Sequence, residues 1–151
     1  MDADRRAIDR LIQDLFSAFD NRGGVKPPLE RLRGIFLPEA VIVKNVGPVP
    51  EVYGVESFIA PRARILTDGT LTEFEESELE ARTDIHGNVA QRLSLYRKSG
   101  VLAGKPFHGR GLNAFQLVRT PDGWRVSALA WDDARAGFAP PESLPPDPAS
   151  D

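Results

Sequence analysis

The chain of 151 residues has no cysteine, only two histidines, one methionine and two tyrosines. Without cysteine there is no disulfide framework, no thiolate nucleophile and no Cys-ligated zinc. His86 and His108 lie far apart with no partner at ligand spacing, so no metal site is expected. Gly-rich phosphate loops are missing too: Gly109-Arg110-Gly111 lacks the rest of a dinucleotide fingerprint, and no cofactor is indicated. No run approaches the about 20 apolar residues that span a bilayer, so no membrane partner is expected. The start, Met1-Asp2-Ala3-Asp4-Arg5-Arg6, lacks the apolar stretch of a signal peptide, and a cytoplasmic location is the expectation. Nor is there a basic face. The 19 Lys and Arg are outnumbered by 22 Asp and Glu, giving a net charge of -3, which argues against a nucleic-acid partner.

What is present reads as one α+β domain over residues 1–138 and a proline-rich tail over 139–151. The hydrophobic fraction of 41% and the charged fraction of 27% are ordinary for a globular chain. Ile8, Leu11, Ile12, Leu15, Phe16 and Phe19 recur with helical period, predicting a helix from Asp4 to Asn21 that Gly23-Gly24 stop. Pro28 suits the first turn of a second helix, Leu29 to Phe36, which Pro38 closes. Ala40 to Lys44 is β-branched and strand-like, and Val52-Tyr53 is a short second strand. Val55 to Leu66 is helical in pattern, with a kink or restart expected at Pro61.

From Leu71 the pattern changes to long strands: Leu71 to Ile85, Val89 to Lys98, Phe107 to Arg119 and Trp124 to Asp132. His86-Gly87-Asn88 and Pro121-Asp122-Gly123 are tight hairpin signals, and Ser99 to Pro106 is a looser connection. Strands joined by hairpins make an antiparallel sheet. The tail from Ala139, with its five prolines in ten residues, is too proline-rich for regular structure and is expected to be disordered.

Acidic residues crowd one strand at Glu73, Glu75, Glu76, Glu78 and Glu80. Both parities carry acids, so a solvated sheet face or a subunit interface is preferred over a metal site. Asp132 and Asp133 point to opposite faces of their strand and do not act as a pair. His108 is an acid or base only if it points inward; an exposed strand histidine is the alternative.

The order of elements, with Phe19-Asp20, Phe36 through Gly47, and Gly123-Trp124-Arg125-Val126 leading to Ala130-Trp131, resembles the nuclear-transport-factor-2-like superfamily. That resemblance implies a cone-shaped α+β barrel, three N-terminal helices packed on a strongly bent antiparallel sheet. The superfamily includes ketosteroid isomerases, polyketide cyclases, scytalone dehydratases and limonene-epoxide hydrolases. Where the ketosteroid isomerases carry their general base, this chain has Lys44. Leu15 stands at their tyrosine position and Asn113 at their protonated aspartate, so steroid-type enolisation is not expected.

The same matching implies a pocket walled by Leu15, Phe19 and Ile42, with Phe115 and Trp131 as aromatic surfaces. Lys44, Arg62 and Asn113 would be its polar groups, and Tyr53 and Tyr96 rim members. Such a lining suits a small apolar molecule carrying an oxyanion, and the family implies a homodimer through the sheet. The alternative is a dehydratase, cyclase or isomerase with Lys44, Asp132 or His108 as base.

Overall fold

A computed structural model describes residues 2–145. Helix α1, Asp2–Ser17, buries Ile8, Ile12, Leu15 and Phe16 along the stripe that its period predicts. It ends four residues before the expected Asn21, because Asn21 is taken up elsewhere. The buried Asn21 amide donates to the carbonyls of Leu66 (2.9 Å) and Leu71 (2.7 Å), and its oxygen accepts from Phe74 N–H at 2.8 Å. One side chain thus joins three segments and satisfies backbone groups that burial would otherwise leave unpaired.

The second helix is shorter than expected. A 3-10 turn, Leu29–Arg31, runs into a single α turn, α2, Leu32–Ile35. Strand β1 then starts at Phe36 and continues to Lys44, so Pro38 lies inside a strand instead of closing a helix. It falls where the pairing register shifts between Phe36 and Val41, at a place that needs no ladder N–H from it. Strand β2, Glu51–Tyr53, and helix α3, Val55–Ile65, follow. Helix α3 runs through Pro61 without restarting. The carbonyl that loses its partner belongs to exposed Ser57, where water can replace the bond.

Four long strands complete the chain: β3, Leu71–His86; β4, Val89–Leu102; β5, Lys105–Thr120; and β6, Gly123–Asp133. The connection expected to be loose over Ser99 to Pro106 is a two-residue hairpin. Ala103 (φ 49°) and Gly104 (φ 83°) both take the left-handed conformation that such turns require. The sheet order is β2-β1-β6-β5-β4-β3. Its hairpins are antiparallel as expected, but β1 pairs with β6 in parallel, so the sheet is mixed. Register shifts in β1, β3 and at the β5/β6 pair are bulges that bend the strands, curling the sheet around α1 and α3 without closing it.

Beyond β6, Arg135 and Phe138 form an isolated bridge. Residues 139–145 have no regular structure, but they lie against the protein: Pro140 is buried, Arg110 donates to the Pro141 carbonyl at 3.3 Å, and Leu144 N–H donates to Glu80 at 3.2 Å. The rest of the expected disordered tail, residues 146–151, lies outside the described residues. Among the described residues no helix is long and apolar enough to cross a membrane.

Candidate functional site

Strand alternation decides what faces the inside of the curl. On β4 the inward positions are Ala90, Arg92, Ser94, Tyr96 and Lys98, and their register partners on β5 are Leu117, Phe115, Asn113, Gly111 and Gly109. On β6 the matching residues are Leu129, Trp131 and Asp133, and Trp131 faces Lys44 of β1. Between this surface and helices α1 and α3 lies a cavity of about 310 Å³.

Seven of the ten pocket residues expected from sequence border the cavity: Leu15, Phe19, Lys44, Arg62, Tyr96, Asn113 and Trp131. Ile42 and Phe115 do not reach it. They are 0% and 2% exposed, packed into the core behind the wall. Tyr53 stands outside the lining, its ring edge-on to Phe58 and its hydroxyl donating to Glu51 at 3.2 Å. Asp132 points the other way, paired with Arg135 at 2.8 Å, and its neighbour Asp133 turns inward instead. His108 is exposed on the outer parity of β5. Neither faces the cavity.

The polar groups inside are unevenly partnered. Arg62 sits in an aromatic box, its guanidinium 3.9 Å from the Phe58 ring centre, 5.4 Å from Tyr53 and 5.6 Å from Trp131. Its protein acceptor is the Phe58 carbonyl at 3.0 Å, and no carboxylate pairs with it among the described residues. Burial lowers its pKa. Lys44 is half-buried and likewise has no ion pair among the described residues. Asn113 is 6% exposed, and its side-chain amide has no hydrogen-bond partner among the described residues. Its register neighbour Ser94 is fully buried, with an Oγ equally unpartnered.

Three charged residues here were not anticipated: Glu76, Lys98 and Asp133. Lys98 bonds Asp133 at 2.9 Å, and Tyr96 also donates to Asp133. Burial, followed by that bond to Asp133, pushes the Tyr96 phenol pKa well up. Glu76 faces Lys98 in register but makes no hydrogen bond or ion pair among the described residues. Burial raises its pKa to about 7, with Asp133 and Glu75 adding to the shift while Lys98 and Arg62 oppose it. The acidic strand is therefore not simply a solvated face. Glu78 turns inward as well, holding buried Arg92 at 2.5 Å. Parity was a usable signal for Lys98 and Asp133, each two residues from an expected pocket member. For Glu76 it was not, because the bulge between Thr72 and Glu75 resets the alternation. Among the described residues no three metal-ligating side chains come together.

Neither a protein-family model nor a curated protein matches the chain. Solved structures do. A nuclear-transport-factor-2-like superfamily protein from Salmonella enterica serovar Typhimurium superposes with a TM-score of 0.73 at 16% identity, over 90% of this chain and 95% of that one. The fold is the nuclear-transport-factor-2-like cone. A protein from Kribbella flavida gives 0.70 at 17% identity over 89% and 93% of the two chains. A hexachlorocyclohexane dehydrochlorinase from Novosphingobium barchaimii gives 0.70 at 19% identity over 92% and 96%. At such identities the likeness concerns the cone, and cones carry unrelated activities.

Proposed function

We propose that the cavity binds a small apolar molecule bearing one oxyanion, such as an aromatic carboxylate. The observation that carries this reading is Arg62: a guanidinium stacked in an aromatic box, with no carboxylate to neutralise it among the described residues. A partly buried cation is stabilised by an anion, and a planar guanidinium suits the two oxygens of a carboxylate. Lys44 supplies a second positive charge on the same wall, and the unpartnered amide of Asn113 a donor for a further ligand oxygen. Phe19, Phe58 and Trp131 provide the apolar surface. The volume suits a ligand of about ten to fifteen non-hydrogen atoms.

The expected homodimer belongs to the same proposal. It would form through the outer sheet face, where Leu79 and Leu93 are exposed, and light scattering on the purified chain measures it.

The test is a thermal-shift and calorimetric panel of benzoate, salicylate and naphthoate against their neutral amides. The carboxylates are expected to raise the melting temperature and the amides to do so less. Arg62→Met and Lys44→Met are each expected to weaken binding about tenfold or more. A flat response across the carboxylates defeats the reading.

A further inference from the structure

The cavity wall holds a carboxyl, that of Glu76, with no donor among the described residues. Opposite Glu76 in register stands Lys98, which would be its natural partner, but Lys98 is turned onto Asp133 at 2.9 Å. Tyr96, two residues along the same strand, also gives its proton to Asp133. Asp133 thus receives two donors and Glu76 none among the described residues. The surface beside Glu76 is apolar, including Leu71, Phe74 and Phe107. A second observation is independent of this one. Asn113 is more than nine-tenths buried and lines the same cavity, and its amide has no partner among the described residues, which leaves it open to a polar group from outside the protein.

We propose that Glu76 is a catalytic base, and that the cavity abstracts a proton from carbon in a small apolar substrate whose oxyanion end rests on Arg62 and Lys44. The inference rests on the reading above for the place of the oxyanion; the base itself needs only that a small apolar molecule enters the cavity. The site is on β3, at the far edge of the sheet from β1, where the resembled isomerases carry their base and this chain carries Lys44. In the step, a C–H bond of the substrate breaks and its proton forms an O–H bond on Glu76. The electron pair passes to an adjacent electron-withdrawing group of the same molecule. Return of the proton to another atom of that molecule regenerates the carboxylate, so no co-reactant is consumed.

The charged and titratable groups around Glu76 come from four other elements: Lys98 and Tyr96 from β4, Asp133 from β6, Arg62 from α3 and Lys44 from β1. Glu75 adjoins it on β3 itself. Helix α1 presents Leu15 and Phe16 to the cavity, the turn after it presents Phe19, and β5 presents the uncharged Asn113 and Phe107. Burial in this setting holds the carboxyl near half-ionisation at neutral pH, where a base combines availability with driving force.

A substrate-independent probe tests the proposal with the full chain. 5-Nitrobenzisoxazole is opened by any well-placed base: its C–H proton passes to the base, the C–H pair forms the nitrile, the N–O bond breaks with its pair on oxygen to give a coloured cyanophenolate, and the base returns its proton to water. Saturable turnover is expected, rising with pH to a plateau with a midpoint near 7. Glu76→Gln is expected to lower kcat/KM about a hundredfold, while His108→Gln on the outer face keeps the wild-type rate. Should Glu76→Gln fail to fold, Glu76→Asp retracts the carboxyl by one carbon and is expected to slow turnover while keeping a pH-dependent rise. An unchanged rate in either folded variant, or no saturable turnover in the wild type, overturns the proposal. Turnover without benzoate binding would leave the base standing and defeat the oxyanion reading; benzoate binding without turnover would do the reverse.

Discussion

Tyr96 lies across Gly111, with no room between them for a side chain. A Cβ added at residue 111 would overlap both Cζ and Oη of the phenol and stand 2.8 Å from the Asp132 carbonyl oxygen. The glycine lets the ring cross to β6 and donate to Asp133. It also holds the phenol in a place that is only 2% exposed. Gly111→Ala is therefore expected to destabilise the fold by about 1–3 kcal/mol, the usual range for overpacking a filled interior. Denaturant melts of Gly111→Ala, Tyr96→Ala and the double variant check it. The double variant is expected to lose less than the sum of the singles, since removing the ring removes the clash. Additive losses would place the cost elsewhere.

A second polar group beneath α1 is structural. Arg92, 4% exposed, pairs with Glu78 at 2.5 Å and Asp9 at 2.7 Å and bonds Thr83 Oγ1 at 2.9 Å, so α1 is fastened to β3 and β4. Removing one member of such a buried set leaves a charge without compensation. Arg92→Met is expected to cost about 3–5 kcal/mol. Adding Glu78→Gln to it is expected to recover part of that loss, because the orphaned carboxylate is gone. A double variant less stable than Arg92→Met would show that Glu78 has another role.

Most of the fold was legible because its signals are local. The apolar stripe from Ile8 to Phe19 has one period and one partner surface, and the hairpins at Gly87 and Gly123 carry residues suited to left-handed backbone. The Ala103-Gly104 turn was missed because alanine rarely takes positive φ; the extended pairing of β4 with β5 and a bond from Ala103 N–H to the Thr70 carbonyl at 2.8 Å hold it there. The parallel pairing of β1 with β6 was hidden for another reason: it joins the two ends of the chain, and no local pattern reports a contact so distant. The site was legible where alternation ran unbroken. Stepping by two from Asn113 leads to Gly111 and Gly109 on the inward face, and the same step from Trp131, not taken from the sequence, leads to Asp133. Across the bulges of β3 the count of two fails, and Glu76 was left among the surface acids.

Stability should carry the mark of Glu76. Its carboxyl titrates near 4.5 in an unfolded chain and near 7 here, chiefly through burial. Between those values the folded chain holds a proton that the unfolded chain has released, so stability falls as pH rises from 4.5 to 7 and then levels. Asp4 acts in the opposite sense. Its hydrogen bonds from Arg119 and then Trp124 hold its pKa low, so that contribution is present above 3.8 and fades in acid. Urea melts across this range are expected to show a downward slope from Glu76 that Glu76→Gln abolishes, leaving the acid arm intact. Parallel profiles for the two proteins would mean that Glu76 titrates as it does in the unfolded chain.

The segment after β6 is expected to matter for both stability and assembly. Leu95 faces outward on β4, between inward Ser94 and Tyr96, yet it is 1% exposed and lies apart from the main core cluster. Its register partner Glu80 accepts from Leu144 N–H at 3.2 Å, which brings the segment 139–145 to the sheet beside Leu95. Burying a leucine contributes about 1.5–3 kcal/mol. A chain ending at Phe138 should therefore lose about 2 kcal/mol and melt several degrees lower. It should also expose Leu95 next to Leu93, which is already 36% exposed, making a wider apolar strip on the face where pairing through the sheet is proposed. Light scattering is expected to show the shortened chain associating more strongly than the full one. Leu95→Ser in the shortened chain should reverse that gain, and a shortened chain that melts and scatters like the full one would show that the segment covers nothing of consequence.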